Sequence, residues 1–300
     1  MPQPYTKIKL DSYISRIDGM RALAVIAVII CHFNEKLLPS GYLGVDVFFV
    51  ISGFVITASL MKRDSNKPLD RFGSFYKRRM KRLIPALSLV VILGSIAITL
   101  FTRNPLEYLT TGASSLAGFS NLSLYFEATD YWGKDASLNP FTHTWSLGVE
   151  EQFYFVYPLI VVYFTRKGAS LLALKKLSVF MGVTAIASLV GFAALSSQYP
   201  AATYFLMPFR FWEMGLGCLV YLTLKSASKA PQQLLAKVPQ TGTIITLVAA
   251  FFTPREFGVF IPIAVPFLSA LLIAQLASPS NQTTAPKYDI LNNPIALYFG

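Results

Sequence analysis

Residues 42–61 read YLGVDVFFVISGFVITASLM, an apolar run that contains a single charged residue, Asp46. A helix of about 20 apolar residues crosses the hydrocarbon core of a bilayer. Inside lipid every backbone polar group must be satisfied within the protein, and the run lacks the strict alternation of a barrel strand. Residues 42–61 therefore predict a transmembrane α-helix.

The composition of the chain extends this prediction to the whole sequence. Of the 300 residues, 54% are hydrophobic and 14% are charged, whereas soluble domains carry about 25% charged residues. Similar apolar runs recur along the chain, so we expect an all-α, multi-pass transmembrane bundle with about 8–10 membrane segments. Helices are predicted at about 17–33, 42–61, 84–101, 149–165, 177–197, 203–224, 240–252 and 259–276.

Neither an internal repeat nor a low-complexity linker divides the sequence, which favours one membrane domain over residues 1–300. The chain ends at Gly300, just as another apolar run begins. We therefore expect the natural protein to continue beyond this point, and the domain to be incomplete at its C-terminus.

The net charge of +11 would suggest a nucleic-acid partner in a soluble protein. Here the cations lie in short loops between apolar runs, where they indicate topology instead, and no nucleic-acid binding is predicted. Loop 62–82 is the most basic and is placed in the cytoplasm, which also places the N-terminus there. Loops 166–176 and 225–237 are basic as well, whereas loop 126–147 is acidic on balance and should face outward.

Segment 106–125 is rich in Thr, Gly, Ser and Asn and leaves two topologies open. If it crosses the membrane, the acidic loop 126–147 lies inside and the basic loop 166–176 outside, against the charge pattern. A re-entrant segment restores the pattern and is the favoured interpretation.

Ionisable residues inside a membrane are costly, so each suggests a functional site. The first helix carries Asp18, Arg21 and His32. A separation of 11 residues is about three helical turns, so Arg21 and His32 share a face about 16 Å apart, with Asp18 on nearly the same face. Imidazole can accept and return a proton near neutral pH. The alternatives are a snorkelling anchor for Arg21 and an interfacial histidine for His32.

A second polar set enters the helix predicted at 149–165. Acidic residues in a first helical turn also offset the helix dipole, but two glutamates and a glutamine entering an apolar helix favour a functional site. The set comprises Trp145, Ser146, Glu150, Glu151 and Gln152, and follows His143 in the outer loop.

The segment 76–85 is basic and abuts the third helix. Arg79 and Arg82 are three residues apart on a helical face and could clamp phosphates, although such clusters also fix topology or meet anionic lipid. Cys31 and Cys218 lie in apolar segments without the spacing of a disulfide framework or a metal site, and no metal is predicted.

Three further polar positions lie in predicted helices. Asp46 requires a partner, and an Arg or His on the first helix is the natural candidate. Ser52 and Gly53 permit close helix packing. Glu213 is expected to pair with Arg210, three residues earlier.

Four of these segments, in order, resemble the motifs of the acyltransferase-3 family of membrane O-acyltransferases, which includes O-antigen and peptidoglycan O-acetyltransferases. Arg21 with ten residues before His32 resembles the motif of the first helix. Residues 44–54 resemble the signature of the second helix, Arg79 to Arg82 an Arg-x-x-Arg motif, and residues 144–154 the glutamate segment. Each motif alone is weak, but four in register favour this family.

The resemblance implies transfer of an acyl group, usually acetyl from acetyl-CoA, to a hydroxyl of a cell-envelope glycan such as lipopolysaccharide O-antigen or peptidoglycan, in the bacterial inner membrane. His32 would be the essential histidine, Arg79 and Arg82 would bind CoA phosphates, and Arg21 would contribute nearby. Glu150 or Glu151 could orient the imidazole. Some members carry an extracytoplasmic domain of the SGNH type after the membrane portion.

Two alternatives remain at this point. A proton-coupled transporter or flippase could use Arg21, His32, Asp46 and Glu150 as a relay, although neither inverted repeats nor paired broken helices are visible. Acylation of a small molecule rather than a glycan is the other.

Overall fold

The computed structural model describes residues 14–61, 68–130, 138–166, 168–226, 238–278 and Leu291, and no strand occurs among them. The side chains of residues 68–71 lie outside the described part as well. The helices are α1 (Ser15–Phe33), α2 (Gly44–Met61), α3 (Pro68–Phe101), α4 (Leu106–Leu116), α5 (Ser120–Thr129), α6 (Trp145–Thr165), α7 (Leu171–Leu195), α8 (Pro200–Phe205), α9 (Met207–Ser226), α10 (Gln240–Phe251) and α11 (Phe260–Ala277).

Within the part of the chain that the structure describes, four helical stretches are long and apolar enough to cross a membrane, namely Gly41–Met61, Phe72–Phe101, Leu171–Leu195 and Phe260–Ala277. α1 and α9 have comparable lengths but contain charged residues, which lowers their hydropathy. The predicted all-α membrane bundle is confirmed.

The chain divides into two compact units that interleave along the sequence. Unit 1 comprises Met1–Lys62, Ser170–Ala185 and Glu213–Gly300, and unit 2 comprises Arg63–Ala169 and Ile186–Trp212. Because each unit is assembled from separate stretches, neither is a sequence domain, and the single domain over 1–300 stays a prediction.

The predicted loop 62–82 is wrong from residue 68 onward, because α3 is continuous from Pro68 to Phe101. Lysine and arginine are good helix formers, so a basic stretch need not end a helix. With 34 residues, α3 is about 51 Å long, well beyond the hydrocarbon thickness of about 30 Å. The basic residues therefore lie on a helix that extends past the membrane core.

Segment 106–125 forms two short helices, α4 and α5, rather than one crossing helix. They are joined at Gly118, which has a φ of 76°, a conformation that glycine adopts without strain. The hydroxyl oxygens of Ser114 and Ser123 are 2.8 Å apart, although residues nine apart on a straight helix would be separated by about 13.5 Å. The chain therefore folds back at Gly118, and each helix, at about 16 Å, is too short to cross alone.

Three other boundaries differ from the prediction. The helix predicted at 149–165 begins four residues earlier, at Trp145. The helix expected at 203–224 is interrupted at Leu206, whose backbone is extended, and α9 then begins with Pro208 in its first turn. Proline is tolerated there because its missing N–H would have no partner within the helix. The basic loop predicted at 166–176 is helical from Leu171 onward.

Glycines bring helices together in unit 1. A Cβ added at Gly53 on α2 would lie 1.9 Å from the carbonyl oxygen of Met214, and one at Gly217 on α9 would lie 1.9 Å from that of Val50. The Cys218 thiol donates to the carbonyl of Gly53 at 3.3 Å. Only glycine permits backbones to approach this closely.

In unit 2 the side chain of Phe141 fills a notch between two helices that glycines leave open. The Phe141 ring is buried between Gly94 of α3 and Gly112 of α4, where added Cβ atoms would lie 2.9 and 2.8 Å from the ring. This contact fixes the segment that leads into α6 and its glutamates.

Candidate active site

The first polar set lies along α1 in unit 1. Arg21 donates a hydrogen bond to the Asp18 carboxylate and forms a salt bridge with it. Arg16 and Asp18 are buried, and Arg21 is partly exposed. Gly19 packs directly against the backbone of Leu291. The sequence therefore placed Asp18 and Arg21 correctly on one face, and the structure adds the ion pair between them.

His32 lies in the last turn of α1, where its side chain is exposed. Its Nδ1 is 2.8 Å from the backbone oxygen of Val28. A carbonyl can only accept, so Nδ1 carries the hydrogen, and in the neutral ring Nε2 carries the lone pair. Histidine acting as a general base needs this arrangement, in which one nitrogen is held by the protein and the other is basic.

The second polar set joins α3 to α6 in unit 2. Arg79 Nε donates to Glu151 Oε1 at 2.8 Å, and Arg79 Nη2 donates to Glu150 Oε2 at 3.0 Å. The side chains of Arg79, Glu150 and Glu151 are only 24%, 15% and 14% exposed, respectively. We call Arg79, Glu150, Glu151 and Tyr154 the carboxylate clamp.

Tyr154 completes the carboxylate clamp. The Arg79 guanidinium carbon lies 3.8 Å from the centre of the Tyr154 ring, a favourable cation–π distance. The Tyr154 hydroxyl donates to Glu150 Oε2 at 3.3 Å. From α3, the Tyr76 hydroxyl donates to the backbone oxygen of Tyr154. Glu150 thus accepts hydrogen bonds from two donors. The guanidinium of Arg79 donates from its edge to both carboxylates, and the Tyr154 ring covers one of its faces.

Arg79 and Arg82 were predicted to share a helical face, but they lie in different surroundings. Arg79 contacts α6, whereas Arg82 is exposed, as are Lys77, Arg78 and Lys81 on the same helix. The exposed cations therefore form a separate surface of α3, and whether Arg79 binds phosphate stays a prediction.

Gln152 takes part in an amide pair. Its Nε2 donates to Asn121 Oδ1 at 2.8 Å, and Asn121 Nδ2 donates to the backbone oxygen of Phe205 at 3.0 Å. Ser120 donates to the backbone oxygen of Thr144 at 2.7 Å. This network anchors α5 to α6. Sequence reasoning missed Asn121 as well as Tyr76, although the polar composition of segment 106–125 was a usable signal.

Trp145 and Arg210 meet in an aromatic group of unit 2. The Trp145 ring is 4.4 Å from that of Tyr204, and the Arg210 guanidinium lies 5.6 Å from the Trp145 ring centre. Both Trp145 and Arg210 are buried, and Ser146 is partly exposed. Trp145 and Arg210 thus belong to one packed cluster.

The remaining predicted residues lie in unit 1. Asp46 and Glu213 are buried, with exposed fractions of 1% and 0%, and Ser52 is partly buried beside Gly53. Their predicted pairings, Asp46 with α1 and Glu213 with Arg210, stay predictions. Within the described ranges, no group of three His, Cys, Asp or Glu residues is arranged to hold a metal ion.

Comparison with known proteins identifies the family. Residues 14–298 match the model of an acyltransferase domain, which covers nearly the whole chain. The chain belongs to the acyltransferase-3 family. A Staphylococcus aureus protein provisionally named an O-acetyltransferase is 30% identical to it over 99% of the chain and 50% of that protein.

Two other relatives carry more specific names. A Bacillus subtilis protein provisionally named a peptidoglycan O-acetyltransferase is 30% identical over 92% of the chain and 45% of its own length. The peptidoglycan O-acetyltransferase OatA of Listeria monocytogenes is 29% identical over 90% of the chain and 45% of its own length. The acyltransferase-3 chain thus spans about half the length of these relatives, and no solved structure matches it.

Proposed function

We propose that the protein transfers an acetyl group from acetyl-CoA to a hydroxyl of a cell-envelope glycan, with peptidoglycan the favoured acceptor and lipopolysaccharide O-antigen the second. The observation that carries the proposal is the match to named O-acetyltransferases over at least nine-tenths of the chain. The tautomer of His32 supplies chemistry that suits the reaction.

His32 would act as the general base. Nε2 takes the proton of the acceptor hydroxyl as the hydroxyl oxygen attacks the thioester carbonyl carbon. The carbon–sulfur bond then breaks, and the imidazolium returns its proton to the departing CoA sulfur. Because Nδ1 is already bonded to Val28, the ring is oriented before a substrate arrives.

Cations on α3 would hold the acyl donor. Phosphate is bound well by arginine forks and by lysine, and Arg78, Lys81 and Arg82 are exposed on the basic part of this helix. The prediction that Arg82 contacts CoA phosphate is retained. Arg21, bonded to Asp18, is retained as a residue that contributes near the donor.

Glu150 and Glu151 are retained as site carboxylates, either orienting the imidazole or taking over the base role if His32 is not the base. Asp46, Ser52, Gly53, Trp145, Ser146, Gln152, Arg210 and Glu213 would support the site from within their own helices.

We place the protein in the bacterial inner membrane with its N-terminus in the cytoplasm. Support comes from the Lys and Arg residues of segment 62–82, since cations near membrane segments are retained on the cytoplasmic side. An extracytoplasmic SGNH-type domain beyond residue 300 and the bilayer itself are the partners that fit this placement.

The test is acetyl transfer by the purified protein in detergent. Acetyl-CoA labelled in its acetyl carbon is supplied with peptidoglycan fragments, with lipopolysaccharide carrying O-antigen, or with a small alcohol. Label in either glycan supports envelope acylation and assigns the acceptor. Label only in the small alcohol would redirect the proposal to small molecules, and no label in any of the three would refute it and favour the transporter alternative.

A further inference from the structure

The carboxylate clamp has the wrong charge for a phosphate site. One guanidinium faces two carboxylates, and both are within hydrogen-bond distance of it. A CoA phosphate approaching Arg79 would meet the two carboxylates at close range, and like charges in a partly desolvated site repel strongly. The guanidinium face is also covered by the Tyr154 ring at 3.8 Å. Phosphate would have to displace a pairing that is already made.

The two glutamates are held differently. Glu150 Oε2 receives hydrogen bonds from both Arg79 and Tyr154. Glu151 is bonded through Oε1 to Arg79 Nε, and its Oε2 accepts no hydrogen bond from any described residue. Although Oε2 has no such partner, it is not fully buried, so it reaches the surface. Glu151 therefore presents one oriented, accessible acceptor oxygen.

The surroundings keep Glu151 in this orientation. A Cβ added at Gly118, in the turn between α4 and α5, would lie 3.3 Å from Glu151 Cβ. The turn thus packs against the stem of Glu151 on one side while Arg79 holds its carboxylate on the other. An oxygen positioned in this way suits a neutral O–H or N–H donor, since a second carboxylate and a single guanidinium leave the site negative overall.

We propose that Arg79 is a positioning residue rather than a phosphate ligand, and that it orients Glu151 so that Oε2 accepts a hydrogen bond from a neutral hydroxyl or amide of a substrate. The two sources of such a donor are a sugar hydroxyl of the acceptor and an amide of the pantetheine arm of the acyl donor. The proposal rests on the proposed acetyl transfer, and it assigns phosphate binding to the exposed cations of α3, represented by Arg82.

The first experiment measures acetyl-CoA binding by isothermal titration for Arg79→Ala, Glu151→Gln, Arg82→Ala and Arg103→Ala. Arg103 is exposed beyond the end of α3 and serves as the matched control. We expect Arg82→Ala to weaken binding about tenfold, the effect of one charge-assisted hydrogen bond, while Arg103→Ala stays within about threefold of the wild type. Arg79→Ala should weaken binding no more than Glu151→Gln does, because Arg79 acts on the donor only through Glu151. About tenfold weaker binding by Arg79→Ala beside unchanged binding by Glu151→Gln would mean that Arg79 binds the phosphate itself, and would overturn the proposal.

The second experiment measures kcat and both KM values for acetyl transfer to whichever glycan accepts label. Arg79→Ala should lower kcat about tenfold or more, and Arg79→Lys should recover only part of the loss because one ammonium cannot reproduce the guanidinium fork. Glu151→Gln should raise one KM about tenfold, because the amide would direct its oxygen to Arg79 and its NH₂ outward. A raised acceptor KM identifies the sugar hydroxyl, and a raised donor KM identifies pantetheine.

The controls separate positioning from simple stability. Glu150→Gln should change both KM values less than Glu151→Gln, although both variants remove one charge from the carboxylate clamp. The double variant Arg79→Ala/Glu151→Gln should be little worse than the poorer single variant, because residues that act as a unit are not additive. Equal effects of the two glutamine variants, or additive losses in the double variant, would overturn the proposal. Failure of the wild type to transfer label would instead refute the proposed function.

Discussion

Gly53→Ala is expected to destabilise the contact between α2 and α9. The added Cβ would lie 1.9 Å from the Met214 carbonyl oxygen, whereas ordinary contact begins at 3.4 Å, so the backbones must separate by about 1.5 Å. The obstructing atom belongs to the backbone and cannot rotate away. Overpacking of this kind costs about 1–3 kcal/mol, and the upper value applies here because separation also loosens the Gly217–Val50 contact.

The assay is thermal unfolding in detergent, followed by tryptophan fluorescence. At about 2 °C per kcal/mol for a chain of this size, a loss of about 3 kcal/mol should lower Tm by about 6 °C. Gly217→Ala should behave alike, and the double variant should lose less than the sum, because one separation relieves both contacts.

Gly182→Ala is the matched control. Gly182 lies within the apolar helix α7, and an added Cβ would meet nothing within 4 Å. Alanine is a better helix former than glycine, so Tm should stay the same or rise slightly. A Tm for Gly53→Ala within about 1 °C of the wild type, where overpacking should cost several degrees, would refute the close packing of α2 and α9.

Two further predictions concern unit 2. Phe141→Ala should cost about 3–5 kcal/mol because it empties a buried aromatic site, and adding Gly94→Ala should restore part of the lost Tm by refilling the notch; a further fall in Tm in the double variant would contradict the wedge. A cysteine replacing exposed Asp130 should react with a membrane-impermeant maleimide added to intact cells, whereas one replacing exposed Arg78 should not, because the basic segment is predicted to lie in the cytoplasm. The natural cysteines, Cys31 and Cys218, are buried and should add little background. The reverse labelling would mean that the predicted topology is inverted.

Hydropathy predicted α2 and α11 to within two residues at each end. Both are uninterrupted apolar runs in which burial and helix formation act together. The same reasoning failed for α3, because it treated basic residues as loop, although a helix can continue into water when its residues are good helix formers. It also missed the break at Gly118, because a positive φ at a single glycine leaves little trace in a hydropathy pattern.

The candidate site was partly readable from sequence. The separation of Arg21 and His32 follows from helix geometry alone, and the hydrogen bond from His32 to Val28 spans four residues of the same helix. The pairing of Arg79 with Glu150 and Glu151 was not readable, because the bonded residues are 71 and 72 positions apart. Such contacts depend on which helices pack together, and one sequence does not specify that.

The proposed role of His32 as the base in acetyl transfer is tested by comparing His32→Ala with the wild type in transfer of labelled acetyl to the glycan acceptor. Loss of a general base should lower the rate by about 10²–10⁴. Because the His32 side chain is exposed, acetyl-CoA affinity and Tm should stay near wild type. His143→Ala, at the exposed second histidine, should retain transfer within about threefold, as expected of a surface substitution. Transfer by His32→Ala within a few-fold of the wild type would contradict the claim and pass the base role to Glu150 and Glu151.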